Sequence, residues 1–398
     1  MTRGGAHRRR ILAFNVKYSP NLGDGVLCEC LEAALHETMT GADITSIDLA
    51  ARKAYGGGGG GRQGALQVLG SLPSPVRKAA VRLPLAFQSR RKWRPHYTDG
   101  LLSGDGVVIG GGNLFSDMDL NFPTKLSLAL GEAAERDLPV VVYGVGCAEH
   151  WSEAGLKMVR SALLRADLRG VFVRDEASRL NWNRLFASET VVEAEVVRDP
   201  GLLASEVFMC PKPLMPGKRV GLCIMSDLAI RYHCDVELSP GELADWYVSV
   251  AEAIVKDGGS ITVFTNGSPE DKAMLIAIAD RLVHAAHSVT FADPDTPADL
   301  CRTISGLDAL IAFRMHAIIL AYSYGVPSLA LRWDTKLDAF MDSVGLAKNL
   351  VSIGDCLPSG VPSRLEAARS DLPQDALRFA VIDEARAGIA RLSAVLEH

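Results

Sequence analysis

The sequence predicts an α/β protein built from two doubly wound domains. Three observations predict it: short apolar runs alternate with stretches of helical periodicity, several of the runs end in glycine-rich turns, and one proline-rich segment interrupts the alternation near mid-chain. At 398 residues, 48% of them hydrophobic and 22% charged, the chain is long enough to bury two cores.

Strands are expected at 10–16, 106–109, 139–143, 170–174, 219–225, 260–265, 309–312 and 328–331. Each is a short, nearly continuous apolar run, as in parallel strands covered on both faces. Between them, 126–136 and 243–256 carry helical periodicity, the second running into Gly258-Gly259, a natural stop. The segment 210–217 packs three prolines and a glycine between a helical stretch and a strand, so it reads as the linker between a domain at 1–209 and another at 218–398. Near the end, Leu377, Val381, Ala385, Ile389, Leu392 and Leu396 mark one apolar face of a long helix able to pack on either domain.

Residues 51–100 break the alternation: they contain a glycine run and ten cations against Asp99 alone. From 76 to 94 the cations are interleaved with Val76, Val81, Leu83, Leu85, Phe87 and Trp93, the composition of a segment lying on an anionic membrane surface; a solvated loop is the other reading.

The net charge of −5 argues against nucleic acid as a partner and leaves any anion to a local patch. No apolar stretch has signal-peptide or membrane-span character, so a cytoplasmic protein is expected, with contact at the inner membrane face through 76–94. The eight cysteines form no CxxC pair and no zinc spacing; reduced thiols and no metal or other cofactor are expected.

Strand ends supply the candidate site residues. Asn21-Leu22-Gly23-Asp24-Gly25 joins the first strand to a helix, with Asp24 either capping that helix or meeting a ligand. Gly110-Gly111-Gly112-Asn113-Leu114 and Tyr143-Gly144-Val145-Gly146 close two further strands. Ends of parallel strands line one crevice, so Asn21, Gly23, Gly111, Gly112, Asn113, Gly144 and Gly146 are candidates for a shared binding cleft. In the second domain Arg314 and His316 follow one strand, and Lys336 follows the next. Arg314 offers a planar fork to a carboxylate or phosphate, Lys336 a point charge, and His316 a proton near neutral pH.

These motifs resemble the polysaccharide pyruvyl transferases: an early Asn21-Leu22-Gly23-Asp24, a Gly110 to Leu114 turn, Val173-Arg174-Asp175, and Arg314-Met315-His316, continued by Gly325-Val326-Pro327 and Trp333-Asp334-Thr335-Lys336. The resemblance runs from about residue 11 to 350. It implies two Rossmann-like domains facing across a cleft, as in GT-B enzymes, and transfer of the enolpyruvyl unit of phosphoenolpyruvate, as co-substrate, onto a sugar as a ketal. Arg314, His316 and Lys336 are then donor-side residues. His316 is the proton donor, and Asp24 is an acceptor-side residue able to accept a hydroxyl proton. Where the family commonly carries an arginine after the strand opening the second domain, this chain has Ser226-Asp227, and Arg231 in the following loop is the candidate to stand in. The basic segment suggests a lipid-linked saccharide acceptor. The alternatives are a nucleotide-sugar glycosyltransferase, which shares the architecture, and a saccharide-binding protein that has lost catalysis.

Overall fold

The computed structural model describes residues 8–56, 84–211, 217–227 and 239–397. It contains two six-stranded, wholly parallel sheets. The first comprises β1 (Arg10–Asn15), β2 (Asp43–Asp48), β3 (Gly106–Gly110), β4 (Pro139–Val145), β5 (Asp167–Val173) and β6 (Ala194–Val196), in the order β2-β1-β3-β4-β5-β6. The second comprises β7 (Arg219–Cys223), β8 (Ser260–Phe264), β9 (Val289–Phe291), β10 (Ala309–Ala312), β11 (Ser328–Leu331) and β12 (Leu350–Val351), in the order β12-β11-β10-β7-β8-β9. Renumbered from its own first strand, this second order is the 3-2-1-4-5-6 arrangement of dinucleotide-binding folds, whereas the first sheet starts with the flavodoxin-like 2-1-3-4-5 order.

All eight expected strands form. The four that apolar runs do not reveal, β2, β6, β9 and β12, are the four sheet edges. Inner strands are buried on both faces: Leu12, Val107 and Val142 in the first sheet, and Leu222, Val263 and Ile311 in the second, are fully enclosed. Each such side chain is stabilised by roughly 1.5–3 kcal/mol relative to exposure. The helix expected at 243–256 spans Pro240–Lys256; Ser239 and Glu242 form a reciprocal capping box at its start.

The chain forms two compact units. One takes in the residues up to Ser19, Leu27 to Pro200, and Glu384 onward; the other takes in Pro20–Val26 and Gly201–Asp383. The chain thus passes into the second unit ahead of the proline-rich segment, of which 212–216 lie outside the described residues. The last helix, Asp375–Glu397, belongs to the second unit up to Asp383 and to the first beyond it. Its first-unit part is tied down by Thr38–Ser393 (2.6 Å), Arg198–Glu384 (2.8 Å) and Arg391–Glu195 (3.1 Å) contacts. Leu377, assigned to the apolar face of this helix, is exposed; the buried face runs through Ile382, Ala385, Ile389, Leu392 and Leu396.

Residues 51–100 need two corrections. Their last part does join the alternation: residues 84–93 run helically into the helix Arg94–Leu101, the crossover between β2 and β3, where Tyr97 donates to the Leu49 carbonyl (2.7 Å) and packs edge-on against Phe14. Trp93, grouped with the membrane-facing apolar residues, is instead in the core at 2% exposure, with the Lys125 ammonium 4.9 Å from its ring centroid. The outward side chains of this stretch include Phe87, Arg90, Arg91 and Lys92. Residues 57–83 lie outside the described residues. Among those described, no helix is long and apolar enough to cross a membrane.

Candidate active site

In the second sheet the chain order reverses between β7 and β10, and an open parallel sheet offers its ligand crevice beyond the carboxyl ends of such a strand pair. Arg314 stands there, two residues past β10, at the start of the helix Met315–Tyr324. Its Nε donates to Asp271 Oδ2 (2.8 Å), its Nη2 lies 2.6 Å from the same oxygen, and Nη2 also reaches Ser268 Oγ (3.2 Å). Asp271 is fully buried in the first turn of the helix Pro269–Ala285, and its other oxygen accepts the Ser226 backbone N–H (2.9 Å). One buried carboxylate therefore links the ends of β7, β8 and β10 and fixes the guanidinium.

His316 lies one residue into the same helix. Its Nδ1 is 3.7 Å from Asp24 Oδ1, with the two side chains 11% and 18% exposed. The approach depends on Gly23: a Cβ there would lie 2.5 Å from His316 Cβ and 2.7 Å from Nδ1, so no larger residue fits beneath the ring. The loop is held by an Asx turn, in which Gly23 N–H donates to Asn21 Oδ1 (3.3 Å), and by Leu22 N–H donating to the Asn266 carbonyl (2.7 Å). Asn21, Gly23 and Asp24, first in the sequence, are thus part of the second unit and lie with His316.

Lys336 follows β11, the neighbour of β10. Asp334 caps the helix Thr335–Ser343, accepting the Lys336 N–H (2.6 Å) on one oxygen and lying 3.2 Å from Lys336 Nζ with the other. Each candidate cation therefore has its own carboxylate: Arg314 with Asp271, His316 with Asp24, Lys336 with Asp334. Arg231 lies outside the described residues.

The first unit's strand ends are built differently. Gly111 (φ 84°) and Gly112 (φ 71°) occupy the left-handed region that a β-carbon disfavours, and Gly146 N–H donates to the Gly112 carbonyl (2.9 Å), lacing the two glycine turns together. Gly144 (φ 62°) sits 3.2 Å from Pro200 at its notional Cβ. Beside them, a Cβ on Gly146 would lie 2.5 Å from Asn113 Oδ1 and 2.7 Å from an Arg174 Nη2, so Gly146 is the floor on which both side chains rest. Among the described residues, the buried Asn113 Oδ1 has no hydrogen-bond partner. Burial pushes the nearby Cys147 thiol up to about 12, so it stays protonated at neutral pH.

The structure adds residues that sequence reading passes over. Asp271 and Ser268 hold Arg314, Ser226 joins them through Asp271, and Asn266 accepts the Leu22 N–H; the signal for two of the four was present, since Asn266-Gly267-Ser268-Pro269 follows a strand and opens a helix. Arg174 follows β5 with a side chain only 5% exposed, 3.4 Å from Asp175; the motif Val173-Arg174-Asp175 marks it, though nothing local assigns it a task.

Comparison with known proteins follows the fold. The UDP-GlcNAc 2-epimerase of Neisseria meningitidis, solved with UDP-GlcNAc, is similar with a TM-score of 0.56 at 14% identity, over 98% of this chain and 99% of that one. The UDP-GlcNAc 2-epimerase of Methanocaldococcus jannaschii gives 0.56 at 12% identity, over 98% and 99%. CalG4, the calicheamicin glycosyltransferase, gives 0.50 at 12% identity, over 98% of both chains. At such identities the likeness is one of fold, that of GT-B epimerases and glycosyltransferases. No curated protein matches the chain. A family model, polysaccharide pyruvyl transferase, matches residues 21–335, from the Asn21 loop through both glycine turns to the Arg314–His316 pair and the cap at Asp334. The chain belongs to the polysaccharide pyruvyl transferase family.

Proposed function

We propose that the protein transfers the enolpyruvyl unit of phosphoenolpyruvate onto a saccharide as a ketal, with the donor held by the second unit. What supports this most is the conjunction of Arg314 and His316, both within the family match, with Lys336, one residue beyond it, at the end of the adjacent strand. Protonation of the donor's methylene carbon creates a cationic centre at its second carbon. Two sugar hydroxyls add there and phosphate departs; of the two hydroxyl protons, one returns to His316 and the other leaves on the phosphate. His316 supplies the first proton and can take one back from a hydroxyl. Asp24, 3.7 Å from the ring nitrogen, fixes the orientation of His316; in this reading it acts through His316. Arg314 and Lys336 hold the carboxylate and phosphate, already positioned by Asp271 and Asp334. The acceptor is assigned to the first unit, where Asn113 Oδ1 offers an unmet acceptor to a sugar hydroxyl. The scheme uses phosphoenolpyruvate as co-substrate and only side chains as catalysts.

Calorimetry with phosphoenolpyruvate and with UDP separates this reading from a nucleotide-sugar enzyme, the chemistry of the bound UDP-GlcNAc in the Neisseria structure. The expected result is phosphoenolpyruvate binding that Arg314→Ala abolishes; preference for UDP would replace the proposal.

A lipid-linked acceptor fits the outward Phe87, Arg90, Arg91 and Lys92, with the Arg91 guanidinium 5.6 Å from the Phe87 ring centroid. Each such cation contributes about 1 kcal/mol at an anionic surface. Reversing Arg90, Arg91 and Lys92 to Glu is expected to abolish sedimentation with anionic vesicles. Unchanged sedimentation would remove the membrane from the proposal.

A further inference from the structure

Arg314 and Lys336 are each already matched by a carboxylate, so an incoming anion meets ion pairs, and charge alone is a weak reason for it to stay. Additional recognition has to come from donors whose hydrogen bonds are unmet. Two lie in the turns after β7 and β8. Ser226, 3% exposed, gives its backbone N–H to Asp271, yet among the described residues its Oγ has no partner. Asn266, 1% exposed, accepts the Cys223 thiol on Oδ1 (3.3 Å), yet its Nδ2 has none among them.

Leaving such a group buried and unpaired is costly, and these two stand together at the ends of the adjacent strands β7 and β8, flanking the Arg314–Asp271–Ser268 cluster. Ser226 follows the strand end where the resemblance leads one to expect an arginine. A neutral hydroxyl and amide there change how an anion is held: by directed O–H and N–H donors beside one guanidinium, in place of a second guanidinium.

We propose that Ser226 Oγ and Asn266 Nδ2 are the neutral donors of an oxyanion subsite, completed by Arg314, that binds a phosphate or carboxylate group at the β7–β10 switch point. Phosphoenolpyruvate as the natural occupant rests on the functional reading above; the subsite itself does not, since inorganic phosphate satisfies the same donors.

The test is phosphorus NMR titration of the full-length protein with inorganic phosphate and, separately, phosphoenolpyruvate, for wild type, Ser226→Ala and Asn266→Asp, with melting temperatures recorded alongside. Asn266→Asp keeps an oxygen for the Cys223 thiol and places a negative charge where the amide stood. Ser226→Ala removes a hydroxyl that bonds to nothing in the fold, so its melting temperature should hold or rise while its affinity for both ligands falls at least tenfold. Asn266→Asp should fall further. If wild type binds phosphate but not phosphoenolpyruvate and the variants lose phosphate, the subsite stands and the donor assignment falls. If both variants bind both ligands within twofold of wild type, or wild type binds neither, the subsite is wrong. Should Asn266→Asp fail to fold, Ser226→Ala decides alone.

Discussion

The two units share a sheet type and differ at their strand ends. In the first, the turns after β3 and β4 are glycines laced to each other, with Asn113 offering an unmet acceptor. In the second, the turns after β10 and β11 carry cations, each held by a carboxylate, and those after β7 and β8 carry unmet donors. Among the described residues the first edge presents an unmet acceptor, and the second presents unmet donors near a carboxylate-held guanidinium. The difference teaches that the same parallel-sheet scaffold assigns ligand chemistry through the few residues beyond each strand.

The comparison breaks most sharply at Asp271. Asp271→Ala strands the Arg314 guanidinium and the Ser226 N–H together, and is expected to cost about 3–5 kcal/mol. Hydrogen exchange should rise in β7, β8 and β10 and not in β1, β3 and β4; an equal rise in both sheets would mean that Asp271 does not organise the second unit alone. A first-unit counterpart is Gly111→Ala. At φ 84°, with a notional Cβ 2.3 Å from Leu27 Cδ2, it is expected to cost about 1–3 kcal/mol in chemical denaturation. Its affinity for phosphoenolpyruvate should be unchanged, since that turn serves the other edge.

The smallest effect is acid sensitivity, which each unit carries on its own carboxylate. Burial alone would raise the pKa of Glu132 and of Asp308; hydrogen bonds outweigh it, from Arg94, Thr98 and Arg136 on Glu132 and from Arg219 on Asp308, so both groups are held below the usual carboxylate range. A depressed carboxylate contributes stability that is present above its unfolded value, near 4, and lost as pH falls through the folded one. Glu132→Gln and Asp308→Asn should each flatten the acid limb of the stability–pH curve, read by urea melts from pH 5 downward; a limb that stays as steep in both would place the acid-labile group elsewhere.

Much of this was legible in sequence because buried parallel strands are apolar throughout. The strands that escaped reading are the edges: β2 reads Asp-Ile-Thr-Ser-Ile-Asp, with only two apolar residues and no continuous run, and β6, β9 and β12 are two or three residues long. Arg314, His316 and Lys336 could be found because strand ends can be found. Their partners could not: Asp271 is 43 residues from Arg314, and Asp24 meets His316 across most of the chain. The Asn21 loop reads locally as part of the first unit; the fit of Gly23 beneath the His316 ring, the Leu22–Asn266 hydrogen bond and the Asp24–His316 approach place it with the second.

The most direct test of the central claim, that the second unit chooses the donor, is the dissociation constant for phosphoenolpyruvate measured side by side in Arg314→Ala and Asn113→Ala. The account predicts that Arg314→Ala loses binding by at least a hundredfold, about 2.7 kcal/mol, while Asn113→Ala binds as wild type does. Loss of binding in Asn113→Ala with retention in Arg314→Ala would contradict it.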